Sequence, residues 1–151
     1  MFRGYQSAFR RAVTAALEAE GFAGKAEVSV TLVSKEEIRR LNLEYRGIDK
    51  ETDVLSFPLW EAGEEMVPVG KWTPLGDVIL CPAVIVKQAG EFKTTPRQEF
   101  CLMVIHSILH LLGWDHMEEQ EKKQMFARQE QILSSLCEGD IKTETERMEV
   151  Q

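Results

Sequence analysis

The run Phe100-Cys-Leu-Met-Val-Ile-His-Ser-Ile-Leu-His-Leu-Leu112 constrains this chain more than any other stretch. It is nearly all apolar and is bracketed by helix signals. Thr95 suits an N-cap, Pro96 the first helical position, and Gln98 can bond back to the cap. Gly113 supplies the stop. The pattern predicts a helix to Leu112, and a helix apolar on every side belongs inside the domain. Two of its residues are histidines. Each ring keeps a polar group that needs a partner when buried, so the pair calls for an explanation.

His106 and His110 stand four residues apart, which puts both imidazoles on one helix face, about 5–6 Å apart at Cβ. One metal ion at about 2.0–2.1 Å from each ring satisfies both. Gly113 then turns the chain back, and His116 can return as a third ligand from outside the helix. These three are the only histidines in the chain. The competing reading is a pair of core histidines, each with its own hydrogen bond. The His-x3-His-x2-Gly-x2-His spacing favours the metal.

Structural zinc sites close with four protein ligands, often thiolates, whereas three ligands plus water mark a catalytic site. Three neutral histidines with no obvious fourth ligand therefore point to one metal ion, zinc being the candidate, with an open position for solvent. Cys81 or Cys101 stays open as a distant fourth ligand, although Cys101, five residues before His106, faces another side of the helix. Zinc in such a site lowers the pKa of bound water to about 7 and polarises a carbonyl or phosphoryl oxygen. In metallopeptidases with this spacing the residue after the first histidine is a glutamate, the general base. Here it is Ser107, which cannot take a proton at neutral pH without a base beside it. A phosphodiester suits the site better than a peptide.

The rest of the chain reads as one α+β domain of 151 residues. Phe9, Val13, Ala16 and Leu17 give residues 4–20 a helical face. Residues 27–33 alternate as a strand. Ser34 and Glu37 form a capping-box pattern for a second helix that Gly47 closes. Residues 53–57 and 76–80 read as strands, 61–74 as a loop or loose hairpin, and 82–90 as a helix. Residues 117–136 read as a last amphipathic helix with Met125, Phe126, Ile132, Leu133 and Leu136 as its contacts. The expected architecture is a small mixed sheet of about four strands with about five helices, the domain spanning 1–137. Residues 138–151 are expected to be a frayed polar tail.

Three widely spaced cysteines argue against a disulfide framework and against a cysteine zinc ribbon. No stretch approaches the roughly 20 apolar residues that span a bilayer. The first 21 residues carry Glu18 and Glu20, unlike an organelle presequence. A cytoplasmic protein with no membrane partner is the expectation. The net charge is −7 and no segment is a basic tail, so any nucleic-acid contact must use a local patch.

Three blocks, in this order, carry a family resemblance: Asn42-Leu-Glu-Tyr-Arg-Gly-Ile-Asp-Lys-Glu-Thr-Asp-Val-Leu-Ser-Phe-Pro58, Leu75-Gly-Asp-Val-Ile-Leu80, and the histidine segment 106–116. The chain resembles the YbeY family of bacterial rRNA maturation factors over roughly residues 27–136. The histidine motif alone would also fit other zincin-like proteins; the first block would not. The resemblance implies a distantly zincin-like fold and a zinc-dependent endoribonuclease specific for single strands. It implies a role in processing the 3′ end of small-subunit rRNA and in ribosome quality control. It also implies metal ligation by His106, His110 and His116 and a functional arginine, which falls on Arg46. Ser107 departs from the glycine usual in the family.

Arg46 sits where a helix dipole favours a cation, and from the bare sequence that structural role would win. With the resemblance, its guanidinium is a candidate for two-pronged contact with a phosphate. Arg39, Arg40 and Lys50 are candidates to widen that patch, although a solvated helix face fits Arg39 and Arg40 better. Tyr45 and Trp72 are candidates to stack on unpaired bases. Asp115 is a candidate to orient a ligand histidine or cap the turn after Gly113. Asp77 is either a strand-edge residue or part of the cleft. The partners implied are single-stranded or ribosomal RNA, with a small-subunit ribosomal protein or assembly GTPase beside it. Rival readings are a ribosome-assembly binding factor with a structural metal and a metallopeptidase.

Overall fold

A computed structural model describes residues 5–114 and 118–150, with residues 137–150 described by their backbone alone. The order of elements is α1 (Gln6–Ala19), β1 (Lys25–Leu32), α2 (Lys35–Arg46), β2 (Val54–Pro58), β3 (Trp72–Leu80), α3 (Pro82–Glu91), α4 (Pro96–Leu111) and α5 (Glu119–Val150). The class is α+β, as the sequence indicates. The five helices match, and the sheet among the described residues has three strands rather than about four.

The sheet order is β1-β3-β2, with β1 parallel and β2 antiparallel to β3. The sequence reads 61–74 as a loop or loose hairpin; an isolated antiparallel bridge does join Val69 to Trp72, but β3 starts at Trp72, which pairs with Lys25. Pro74 hid this, because proline is rare in a central strand except at a bulge. A bulge is what occurs: Glu27 pairs with Pro74 and Val28 with Gly76, so Leu75 is the extra residue. Gly76 follows at φ 139°, and a Cβ there would lie 2.2 Å from the Phe57 carbonyl oxygen. Only glycine lets β2 approach at this point.

The sheet separates two apolar clusters. Val54, Val78 and Leu80 face the larger one, with α1, α4 and α5. Leu55 meets Ile38 of α2 and Cys81 in the smaller one, with Phe57 and Ile79 packed against them. Alternation along the strands assigns neighbouring residues to opposite sides. The buried line of α1 is Ala8, Ala12 and Ala16; the larger Phe9, Val13 and Leu17 are only partly buried. Small side chains at four-residue spacing let α1 come close to α4. On α5 the buried line is Met125, Gln129 and Ile132, whereas Phe126, expected to point inward, is exposed. Residue 126 lies off the stripe that 125, 129 and 132 define.

Candidate metal centre

The N-terminus of α4 carries the expected capping box. The Thr95 hydroxyl accepts from Gln98 N at 3.1 Å, and the Gln98 side chain accepts from Thr95 N. Gly113, at φ 104°, follows the helix. Between these signals the helix is buried on almost every side, from Phe100 and Cys101 through Val104, Ile105, Ile108, Leu109 and Leu111. It opens along one line. Gln98, Leu102, His106 and His110, each four residues apart, are the half-buried residues of that line.

Both helix-borne ligand candidates therefore lie where the core helix reaches the surface. Their ring centroids are 4.5 Å apart and the planes meet at 77°, edge to face. His106 Nδ1 lies 2.9 Å from the Oε1 of Gln129 on α5. The Gln129 side chain was not singled out by the sequence, since a lone glutamine in an amphipathic helix reads as surface. His116 and Asp115 lie outside the described residues.

The two described donors, both imidazoles, suit a borderline divalent ion such as zinc. Two imidazoles share one face, and a ring that gives its Nδ1 proton to Gln129 keeps its ligating lone pair on Nε2. Neither cysteine joins them: among the described residues no group of three His, Cys, Asp or Glu side chains could hold an ion. Cys81 is fully buried in the smaller cluster.

Ser107 is fully buried, and its hydroxyl donates to the Met103 carbonyl at 2.9 Å. The hydroxyl that glycine would lack thus finds its own partner inside the helix, sharing a carbonyl four residues back. Glu99, one turn into α4, is also buried, and burial followed by the negative charges of Asp53 and Glu130 raises its carboxyl above the ordinary value.

Arg46 is on α2, which packs against the other face of the sheet from α4. It is exposed in the last turn, before Gly47 in the left-handed conformation at φ 71°. Among the described residues no ion pair holds it. Its neighbours are committed elsewhere: Arg39 pairs with Asp49 at 2.8 Å, and Arg40 pairs with Glu37 and Glu44. Asn42, buried in α2, donates to the Lys50 carbonyl at 3.0 Å and so fixes the turn beyond Arg46. Tyr45 is exposed and meets Phe57 edge to face at 5.1 Å. Trp72 is also exposed, with Lys25 Nζ 5.3 Å from its ring centre. Asp77 is an exposed residue of the central strand.

A family model described as "Endoribonuclease YbeY" matches residues 2–137. The chain belongs to the YbeY family. Endoribonuclease YbeY of Staphylococcus saprophyticus is 45% identical over 123 residues, spanning 82% of this chain and 80% of that protein. The YbeY protein of Bacillus subtilis is 44% identical over 123 residues, spanning 80% and 78%. The solution structure of TM1509 from Thermotoga maritima aligns with a TM-score of 0.61 and 34% identity, covering 92% of this chain and 87% of that one. YbeY membership accounts for the three sequence blocks together. Among the described residues no helix is long and apolar enough to cross a membrane.

Proposed function

We propose that this chain is a zinc-dependent endoribonuclease that cuts single-stranded RNA, acting in maturation of the small-subunit rRNA 3′ end and in ribosome quality control in the cytoplasm. The observation that carries the reading is the placement of His106 and His110 on the one open line of a buried helix, in a chain of the YbeY family. His106, His110 and His116 would hold the ion. When bound, it would polarise a phosphoryl oxygen and activate water.

The chain's own groups set the rest. The open line of α4 offers the histidine face to substrate while the other faces exclude solvent. Arg46 is the candidate for stabilising charge on the phosphoryl oxygens, since a guanidinium gives planar, two-pronged contacts and, among the described residues, no acid is paired with it. Ser107 takes no part in proton transfer, because its hydroxyl is given to the Met103 carbonyl. This weighs against a peptidase, whose general base occupies that position.

The net charge of −7 supports docking on a basic ribosomal protein rather than on naked rRNA. Purified protein incubated with single-stranded RNA, with and without chelator, tests the assignment. Cleavage that is lost with chelator, restored by zinc and abolished in His110→Ala is the expected result. Cleavage that survives in His110→Ala refutes it. Zinc binding without any cleavage would favour an assembly factor with a structural metal.

A further inference from the structure

Gln129 is a polar residue in an apolar line. It lies between Met125 and Ile132 on the buried stripe of α5 and is 6% exposed. An amide placed there without a partner would be costly, and any of several apolar side chains would fill the space. Its Oε1 lies 2.9 Å from His106 Nδ1, joining residues 23 positions apart on separate helices.

We propose that Gln129 is a positioning residue for the metal centre. It holds His106 as the Nδ1–H tautomer and fixes the plane of the ring, so that Nε2 is the nitrogen offered to the ion. With the Gln129 carbonyl oxygen facing the ring, the contact is a hydrogen bond when Nδ1 carries the proton, because an amide oxygen accepts and cannot donate. Partners of this kind orient ligand histidines and raise their basicity, and their loss weakens metal binding about 10- to 100-fold. The inference rests on the metal reading of the histidine pair.

Two variants and two measurements test it. Gln129→Leu keeps volume and removes the acceptor; Gln129→Glu keeps an acceptor oxygen. Nitrogen-15 NMR of the metal-free protein reads the His106 tautomer, and competition with a chelator reads zinc affinity. Expected are an Nδ1–H ring in the parent and in Gln129→Glu, and loss of that preference in Gln129→Leu. Zinc affinity should fall about 10- to 100-fold in Gln129→Leu and recover in Gln129→Glu. An Nε2–H ring in the parent, or unchanged affinity in Gln129→Leu, overturns the proposal. An Nδ1–H ring in a parent protein that binds no zinc refutes the metal centre itself, and the positioning role with it, while leaving the hydrogen bond in place.

Discussion

The Glu20 carboxylate accepts from the Trp114 indole N–H, across 94 positions of sequence. Its other oxygen accepts from Arg128 Nε at 2.9 Å, and Arg128 also donates to the Ala19 carbonyl. One carboxylate thus ties the end of α1 to α5 and to the residue just after the Gly113 turn. It is a partly buried junction, with Glu20 15% and Arg128 31% exposed at their side chains.

Glu20→Ala should destabilise the fold by about 1–3 kcal/mol, because it leaves the Trp114 indole N–H and the Arg128 Nε–H without their acceptor. Urea denaturation measures this. A midpoint equal to that of the parent would show that water replaces the carboxylate at no cost.

Gly76→Ala should be more damaging than its size suggests. The φ of 139° disfavours any side chain, and the new Cβ would meet the Phe57 backbone oxygen at 2.2 Å, which no rotamer change relieves. A loss of at least about 2 kcal/mol by equilibrium unfolding is expected. Retention of full stability would mean that β2 can move away from β3 freely.

Glu99 gives the stability curve a pH dependence of known sign. Burial, then the charges of Asp53 and Glu130, raise its folded pKa above the ordinary value of 4.5. The folded state therefore holds this proton more tightly than the unfolded chain does. Its stabilising contribution is full below pH 4.5 and is lost as pH rises through the folded value. Glu99→Gln removes that loss. The variant should melt above the parent at neutral pH, and the gap should close on acidification. Parallel melting curves across pH would sink this account.

Arg46→Ala should lower RNA cleavage by about 100-fold while leaving the unfolding midpoint within about 0.5 kcal/mol, since the side chain is exposed. Arg46→Lys should recover little, because an ammonium lacks the planar fork. Cleavage unchanged in Arg46→Ala would remove this residue from the site.

What the sequence made legible follows from how local each signal is. Helix α4 was readable because cap, proline, apolar run and terminal glycine all lie within 19 residues, 95–113. The histidine pair was readable from the same helix, since a spacing of four fixes their shared face. The first half of β3 was not, because Pro74 and Gly76 are turn residues until a bulge and a close strand crossing give them another purpose. Gln129 was not, because its partner is set by how α5 lies on α4. Phe126 misled for a related reason: two adjacent apolar residues, 125 and 126, leave the phase of the stripe ambiguous, and Met125 takes the inner place. Arg46 owed its place to the family resemblance, and the smaller α2 cluster does not connect it to the histidines.

The helix that carries His106 and His110 is also the one around which the larger core is built. Fraying or loop opening cannot free these residues, because their backbone amides are released only when the packing of α1, α3, α5 and the sheet around α4 gives way. Their hydrogen exchange should accordingly fall in the slowest class, governed by global unfolding. On the proposed metal reading, an ion held by His106 and His110 would exchange at the mouth of the site, through solvent, without bending of α4.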